Sequence, residues 1–240
     1  MSPPQGEGPG AARRALGRQP RNEPATASAP HHGSLLRELA GVIVSAIVIS
    51  LLTKTFLVQA FFIPSASMEP TLHGCPGCVG DRVLVNKLVT HIAGVHHGDI
   101  VVFQDSAEWL TTASVTPVEH SAVHDALASI GLAPATSEAD LVKRVIGVGG
   151  DTVEGRGGHV YVNGTQLHEL YLFPGDSATE VNFLVTVPAG ELWVMGDHRS
   201  QSADSRSHQQ EPGKGFVPVK DVVGRAFVII WPLNRVGSVG

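Results

Sequence analysis

The chain reads as a mainly β protein behind one N-terminal transmembrane helix, with a small, partly helical insertion in the β region. Three observations predict this. Residues 39–53, LAGVIVSAIVISLLT, carry no charge. Short runs rich in Val, Ile and Phe recur after residue 80 and alternate with polar residues, the period of a strand with one face buried. Asn163-Gly164 lies between two such runs, HVYV and TQL, and Asn-Gly suits the two positive-φ positions of a tight hairpin.

The elements follow in order. Residues 1–33 are rich in Pro, Gly, Ala, Ser and Arg and nearly lack large apolar side chains. Such a segment cannot bury enough surface to offset its ordering entropy, so a disordered tail is expected. Residues 34–63 are read as a membrane anchor. The uncharged run alone spans about 22 Å as a helix, short of a hydrocarbon core of about 30 Å. Continued through Lys54 and TFLVQAFFI to Ile63, it reaches roughly 37 Å, enough to cross with tilt. Lys54 would then snorkel near one end. A buried core helix and a cleaved signal peptide are the rival readings. The run is long for a signal peptide, starts late and is not followed at once by a small-residue cleavage site, so an uncleaved anchor is preferred. Arg13, Arg14, Arg18, Arg21 and Arg37 precede the apolar span from Leu39, and after Lys54 the next Lys or Arg is Arg82. By the positive-inside rule the N-terminus is cytoplasmic and the rest extracytoplasmic, in a single pass of the plasma membrane.

Residues 64–240 form the expected β-rich domain. DRVLVNKL, DIVVF, HVYVNGTQL, FLVTVPAGELWVMGD and GRAFVIIWP are its strand signals. Residues 106–140 differ in character; within them HSAVHDALASIGL has helical spacing and ends at a glycine, the mark of an insertion.

Composition excludes several classes. Seventeen Lys and Arg face 22 Asp and Glu, a net charge of -5, which argues against a nucleic-acid partner. Two cysteines cannot build a disulfide scaffold or a four-cysteine zinc site. Twelve histidines are scattered and form no H-E-x-x-H, and G-x-S-x-G is absent, so neither a zincin nor an α/β-hydrolase is supported.

Five segments occur in order: the apolar anchor; Pro64-Ser65-Ala66-Ser67-Met68-Glu69-Pro70-Thr71-Leu72; GDRVLVNK; Lys143-Arg144-Val145-Ile146-Gly147; and Gly196-Asp197-His198-Arg199-Ser200-Gln201-Ser202-Ala203-Asp204-Ser205-Arg206. Singly, each also reads as a turn at a strand end or a local ion pair. Together they resemble the bacterial type I signal peptidases over about Leu39 to Pro232, with the tail and insertion outside the likeness. The resemblance implies a signal-peptidase-like β catalytic domain. It implies a serine endopeptidase that removes signal peptides from exported preproteins without a metal or other cofactor. Its partners would be those signal peptides and the lipid bilayer.

Residue by residue, the resemblance implies that Ser67 is the nucleophile and Lys143 its general base, a Ser/Lys variant of the nucleophile–base pair. Ser202 would orient the lysine amine. Ser65 and the backbone N–H of Ser67 would form the oxyanion hole. Arg144, Asp197, Asp204 and Arg206 would brace the loops. Phe61, Ile63, Met68, Leu72, Leu141 and Val142 would line shallow pockets for small substrate side chains, or else belong to ordinary core. His198 stands where the family commonly has Asn in G-D-N-R, which leaves the detail of that loop open.

Chemistry supports these roles. A serine hydroxyl needs a base to take its proton. A lysine is charged near neutral pH unless burial lowers its pKa, and Lys143 lies in an apolar, strand-like run. Strand alternation should turn Arg144 to the opposite face, leaving desolvation as the larger influence. Cys75-Pro-Gly-Cys78 is expected to close a local disulfide outside the membrane. Three alternatives remain: a self-cleaving repressor-type Ser/Lys peptidase, which the anchor and acidic balance oppose; an extracytoplasmic thiol oxidoreductase using Cys75 and Cys78, for which no βαβ pattern is present; and a non-enzymatic β-rich binding module.

Overall fold

The alternating runs become antiparallel strands. In a computed structural model of the chain, the described residues are 32–75, 78–88, 92–105, 109 and 140–239. Residues 1–31 of the expected tail and almost all of the 106–140 insertion lie outside them, while residues 32–33 of that tail begin a helix.

The helix α1 spans His32–Phe56. Its described side chains are those of residues 37–50, and Leu39, Val42, Val44 and Ile49 among them are all more than half exposed. Among the described residues no helix is long and apolar enough to cross a membrane. The expectation of one helix through Ile63 is corrected at its C-terminal end. Val58–Phe62 is a strand, β1, whose residues pair with the strand β2, Arg82–Asn86. An apolar run such as TFLVQAFFI fits helix and strand alike, and pairing with β2 decides it.

The remaining strands are β3 (Ile100–Gln104), β4 (Asp140–Val148), β5 (Thr152–Arg156), β6 (His159–Val162), β7 (Thr165–Gln166), β8 (Phe183–Thr186), β9 (Glu191–Met195), β10 (Val217–Pro218), β11 (Val222–Trp231) and β12 (Gly237–Ser238). An eight-stranded sheet runs β1-β2-β11-β3-β4-β9-β10, with β12 beside β11. A second sheet runs β7-β6-β5-β8. The Asn163-Gly164 signal is fulfilled: the two residues have φ of 52° and 79° and join β6 to β7.

Three apolar clusters hold these layers. Phe61, Ile63, Met68 and Leu72 pack with Val83, Val85 and Ile229. Trp193, Ile146 and Phe183 centre a second cluster on the smaller sheet. Val101, Phe103, Val145 and Val194 form a third, which also takes in Trp109. Burying each such aliphatic side chain contributes about 1.5–3 kcal/mol, so β4 and its neighbours β3 and β9 form a firm floor for whatever they carry.

Candidate active site

Three segments converge. The first is the turn Ala66–Met68 that follows β1, closed by the Glu69 N–H on the Ala66 carbonyl at 3.0 Å. The second is β4, held on both sides by β3 and β9. The third is the loop that leaves β9 at Gly196 and passes through the short turn Arg199–Gln201.

Ser67 and Lys143 meet where these segments join. Lys143 Nζ lies 2.9 Å from Ser67 Oγ and donates a further bond to the Val142 carbonyl at 3.2 Å. Both residues are buried, Ser67 at 6% and Lys143 at 3% exposure. Burial brings the Lys143 pKa down to about 8, against the Asp204 and Asp197 carboxylates, whose charges raise it. Ser65 is exposed, and its hydroxyl stands 3.2 Å from Ser67 Oγ.

Charged pairs frame this centre. Arg144 binds Asp197 through Nε and Nη2 at 2.8 and 2.7 Å, and gives Nη1 to the Gly98 carbonyl. Arg206 binds Asp204 through Nε and Nη2, each at 2.8 Å, while Asp204 accepts the Gly196 N–H at 3.0 Å. Burial works to raise the Asp204 carboxyl, but the Arg206 bonds and charge, then Gly196 and lastly Ser202, hold it below its ordinary value. A buried base beside a hydroxyl, ringed by fixed charges, suits abstraction of that hydroxyl's proton.

Comparison with known proteins gives the family. A sequence profile described as "Signal peptidase, peptidase S26" matches residues 36–231. The chain belongs to this signal peptidase family. It is 41% identical over 238 residues to the probable signal peptidase I of Mycobacterium leprae, covering 89% of this chain and 82% of that protein. It is 42% identical over 228 residues to signal peptidase I of Mycobacterium tuberculosis, covering 88% and 77%. A signal peptidase I structure from Enterococcus faecalis aligns with a TM-score of 0.35 at 26% identity, over 55% of this chain and 95% of that one. As a member of the S26 signal peptidases the chain is a serine peptidase that removes signal peptides.

The other anticipated site residues of this signal peptidase divide. Phe61, Ile63, Met68 and Leu72 are at most 4% exposed and share one cluster, against which Val142 packs. Leu141 is separated from them and packs with Val101 and Phe103. Neighbours on a strand face opposite sides, so Val142 and Leu141 join different clusters. The expected Ser202 bond to the lysine amine is not formed either. The amine bonds to Ser67 and Val142 instead, and the buried Ser202 Oγ has no hydrogen-bond partner at proper geometry among the described residues. Its one influence is on the nearby Asp204 carboxylate. Cys75 and Cys78 are joined by a disulfide.

Several contributors were not singled out from sequence. The Thr71 hydroxyl donates to Asp197 Oδ2, tying the segment that follows Ser67 to the Arg144 pair. The Tyr171 ring lies 4.0 Å from the Arg144 guanidinium carbon. Glu169 pairs with the buried Arg199, which also gives Nε to the Gly196 carbonyl at 2.8 Å. Thr71 lies inside a motif already quoted and was within reach; Glu169 and Tyr171 carry no local signal.

Proposed function

We propose that this signal peptidase is anchored by α1 and cleaves its substrates through Ser67 and Lys143. The 2.9 Å contact between Lys143 Nζ and Ser67 Oγ inside a buried site carries the reading. A neutral amine accepts the serine proton as Oγ attacks the scissile carbonyl carbon. The carbonyl oxygen becomes an oxyanion, and the Ser67 N–H and Ser65 hydroxyl are the donors offered to it. The ammonium of Lys143 then protonates the leaving amine, the new N-terminus of the mature protein. Water, deprotonated by the same amine, hydrolyses the ester and releases the signal peptide as a carboxylic acid, restoring Ser67. Phe61, Ile63, Met68, Leu72, Leu141 and Val142 stay assigned to shallow pockets for small substrate side chains. An extended peptide added as a strand would supply main-chain affinity.

The anchor reading rests on the uncharged run 39–53, on the exposure of Leu39, Val42 and Ile49, and on the five arginines before it. On this reading residues 1–31 are cytoplasmic and the β domain lies outside. The test is processing of a preprotein by the wild type, Ser67→Ala and Lys143→Ala. Both variants should fall by at least about a thousandfold in kcat, as removal of a nucleophile or its base does elsewhere. Processing by either variant at the wild-type rate rejects the dyad. Cys75→Ser is expected to keep cleaving, which the thiol reading forbids.

A further inference from the structure

We propose that His198 is a positioning residue that pins the nucleophile turn through its ring nitrogen; this rests on Ser67 being the nucleophile. The turn Ala66–Met68 is a single short turn, and one backbone bond, from Glu69 to Ala66, closes it. Such a turn has little rigidity of its own. His198 reaches it twice. Its backbone N–H donates to the Ser67 carbonyl at 3.1 Å, and its Nδ1 lies 3.3 Å from the Ala66 carbonyl. A carbonyl oxygen only accepts, so Nδ1 must carry the proton. Two successive carbonyls of the nucleophile turn are therefore gripped by one residue of the facing loop.

The ring is itself held. It stacks on Phe173 with centroids 3.9 Å apart and planes 10° from parallel. Phe173 donates its N–H to the Asp197 carbonyl at 3.1 Å, and Asp197 is locked by Arg144, the neighbour of Lys143 on β4. The grip thus links the nucleophile turn to the strand that carries the base. The backbone bond persists with any residue at 198 except proline, but the Nδ1 bond needs a donor at that position.

Two substitutions separate ring from donor. His198→Phe keeps a stacking ring and loses the donor. His198→Asn loses the ring but can place its amide N–H near the former Nδ1. Single-turnover cleavage of a signal-peptide substrate, with KM and the pH midpoint of the rate, reads the result. His198→Phe should lower kcat about five- to tenfold, the effect of one lost hydrogen bond, with KM and pH midpoint unchanged. His198→Asn should restore kcat to within about twofold of the wild type, since the donor is what the turn requires. Full activity in His198→Phe, equal losses in both variants, or a loss confined to His198→Asn overturns the pin. A changed pH midpoint in His198→Phe also overturns it, since that marks an electrostatic effect on Lys143. Ser67→Ala serves as the reference: if it is inactive while His198→Phe is normal, only the pin fails, and if it is active both readings fail.

Discussion

At the scale of single residues, the proposed chemistry depends on the protonation of Lys143. Burial lowers its pKa to about 8, while Asp204 and Asp197 oppose the shift. In the proposed mechanism the active form is the neutral amine, so the rate should rise with pH through a midpoint near that value and level off above it. At two units below, about one lysine in a hundred is neutral, and the rate should fall in proportion. The sign for a carboxylate neighbour follows. Asp204 stabilises the ammonium, so Asp204→Asn should move the midpoint below that of the wild type. A pH–rate profile under single-turnover conditions checks both statements; an unmoved or raised midpoint in Asp204→Asn contradicts this electrostatic account. The variant also leaves Arg206 without its buried partner, so the midpoint of the remaining activity is the measure, not its height. Ser67 and Lys143 could be named from the sequence only through the ordered motifs of the family resemblance. Their mutual distance was not legible, since 76 positions separate them. The lowering of the Lys143 pKa was legible in direction, because the apolar residues beside it are local. Ser202 shows the limit: its motif was recognised, but the direction of one hydroxyl depends on the packing of Gly196 and Asp204.

At the scale of elements, the site is a junction between a turn, a strand and a loop, and close packing sets its tolerance. Gly196 lies where the three meet. A Cβ there would stand 2.3 Å from Ser202 Oγ and 2.4 Å from the Ser67 carbonyl oxygen. The second contact is with backbone of the nucleophile turn and cannot be relieved by a rotamer change. Gly196→Ala should therefore push Ser67 away from Lys143 and lower kcat by at least about a hundredfold, because a displacement of about 1 Å is costly at a reacting centre. Cleavage kinetics measured beside the melting temperature check this. Unimpaired kcat in the Gly196→Ala enzyme would mean that the turn is free to move, and would weaken the pin assigned to His198 as well. The sequence conveyed most strands of the β domain: β2, β3, β6, β7, β8, β9 and β11 each fall within or largely overlap a run read as a strand. It misplaced the boundary at Phe56, because apolar content alone does not distinguish the end of a helix from the start of β1. Pairing of Ala60 with Leu84 and Phe61 with Val83 is a tertiary fact that no local pattern carries.

At the scale of the whole molecule, charge and apolar surface divide the chain into regions with different duties. Residues 1–38 carry a net +2, residues 39–63 a net +1, and residues 64–240 a net -8. The acidic average of the chain thus belongs to the β domain, while the N-terminal region is basic. The packed cores follow the same division. The first residue in any of the three clusters is Phe61, and β1 begins at Val58, so no described core contact of the β sheets depends on residues 1–56. The proposed anchor and the proposed chemistry are therefore separable. Deleting residues 1–31 should leave the protein in the membrane fraction, with kcat on a short peptide substrate within about twofold of the full chain, since surface segments outside a core contribute little to it. Deleting residues 1–56 should release the β domain from the membrane and still leave cleavage of that peptide, while processing of a membrane-inserted preprotein falls, because enzyme and substrate no longer share a surface. Fractionation together with the two cleavage assays reads all three quantities. Retention of the shorter chain in the membrane would show that the β domain holds the bilayer by itself. Loss of peptide cleavage on removing residues 1–31 would make the basic segment part of the catalytic unit.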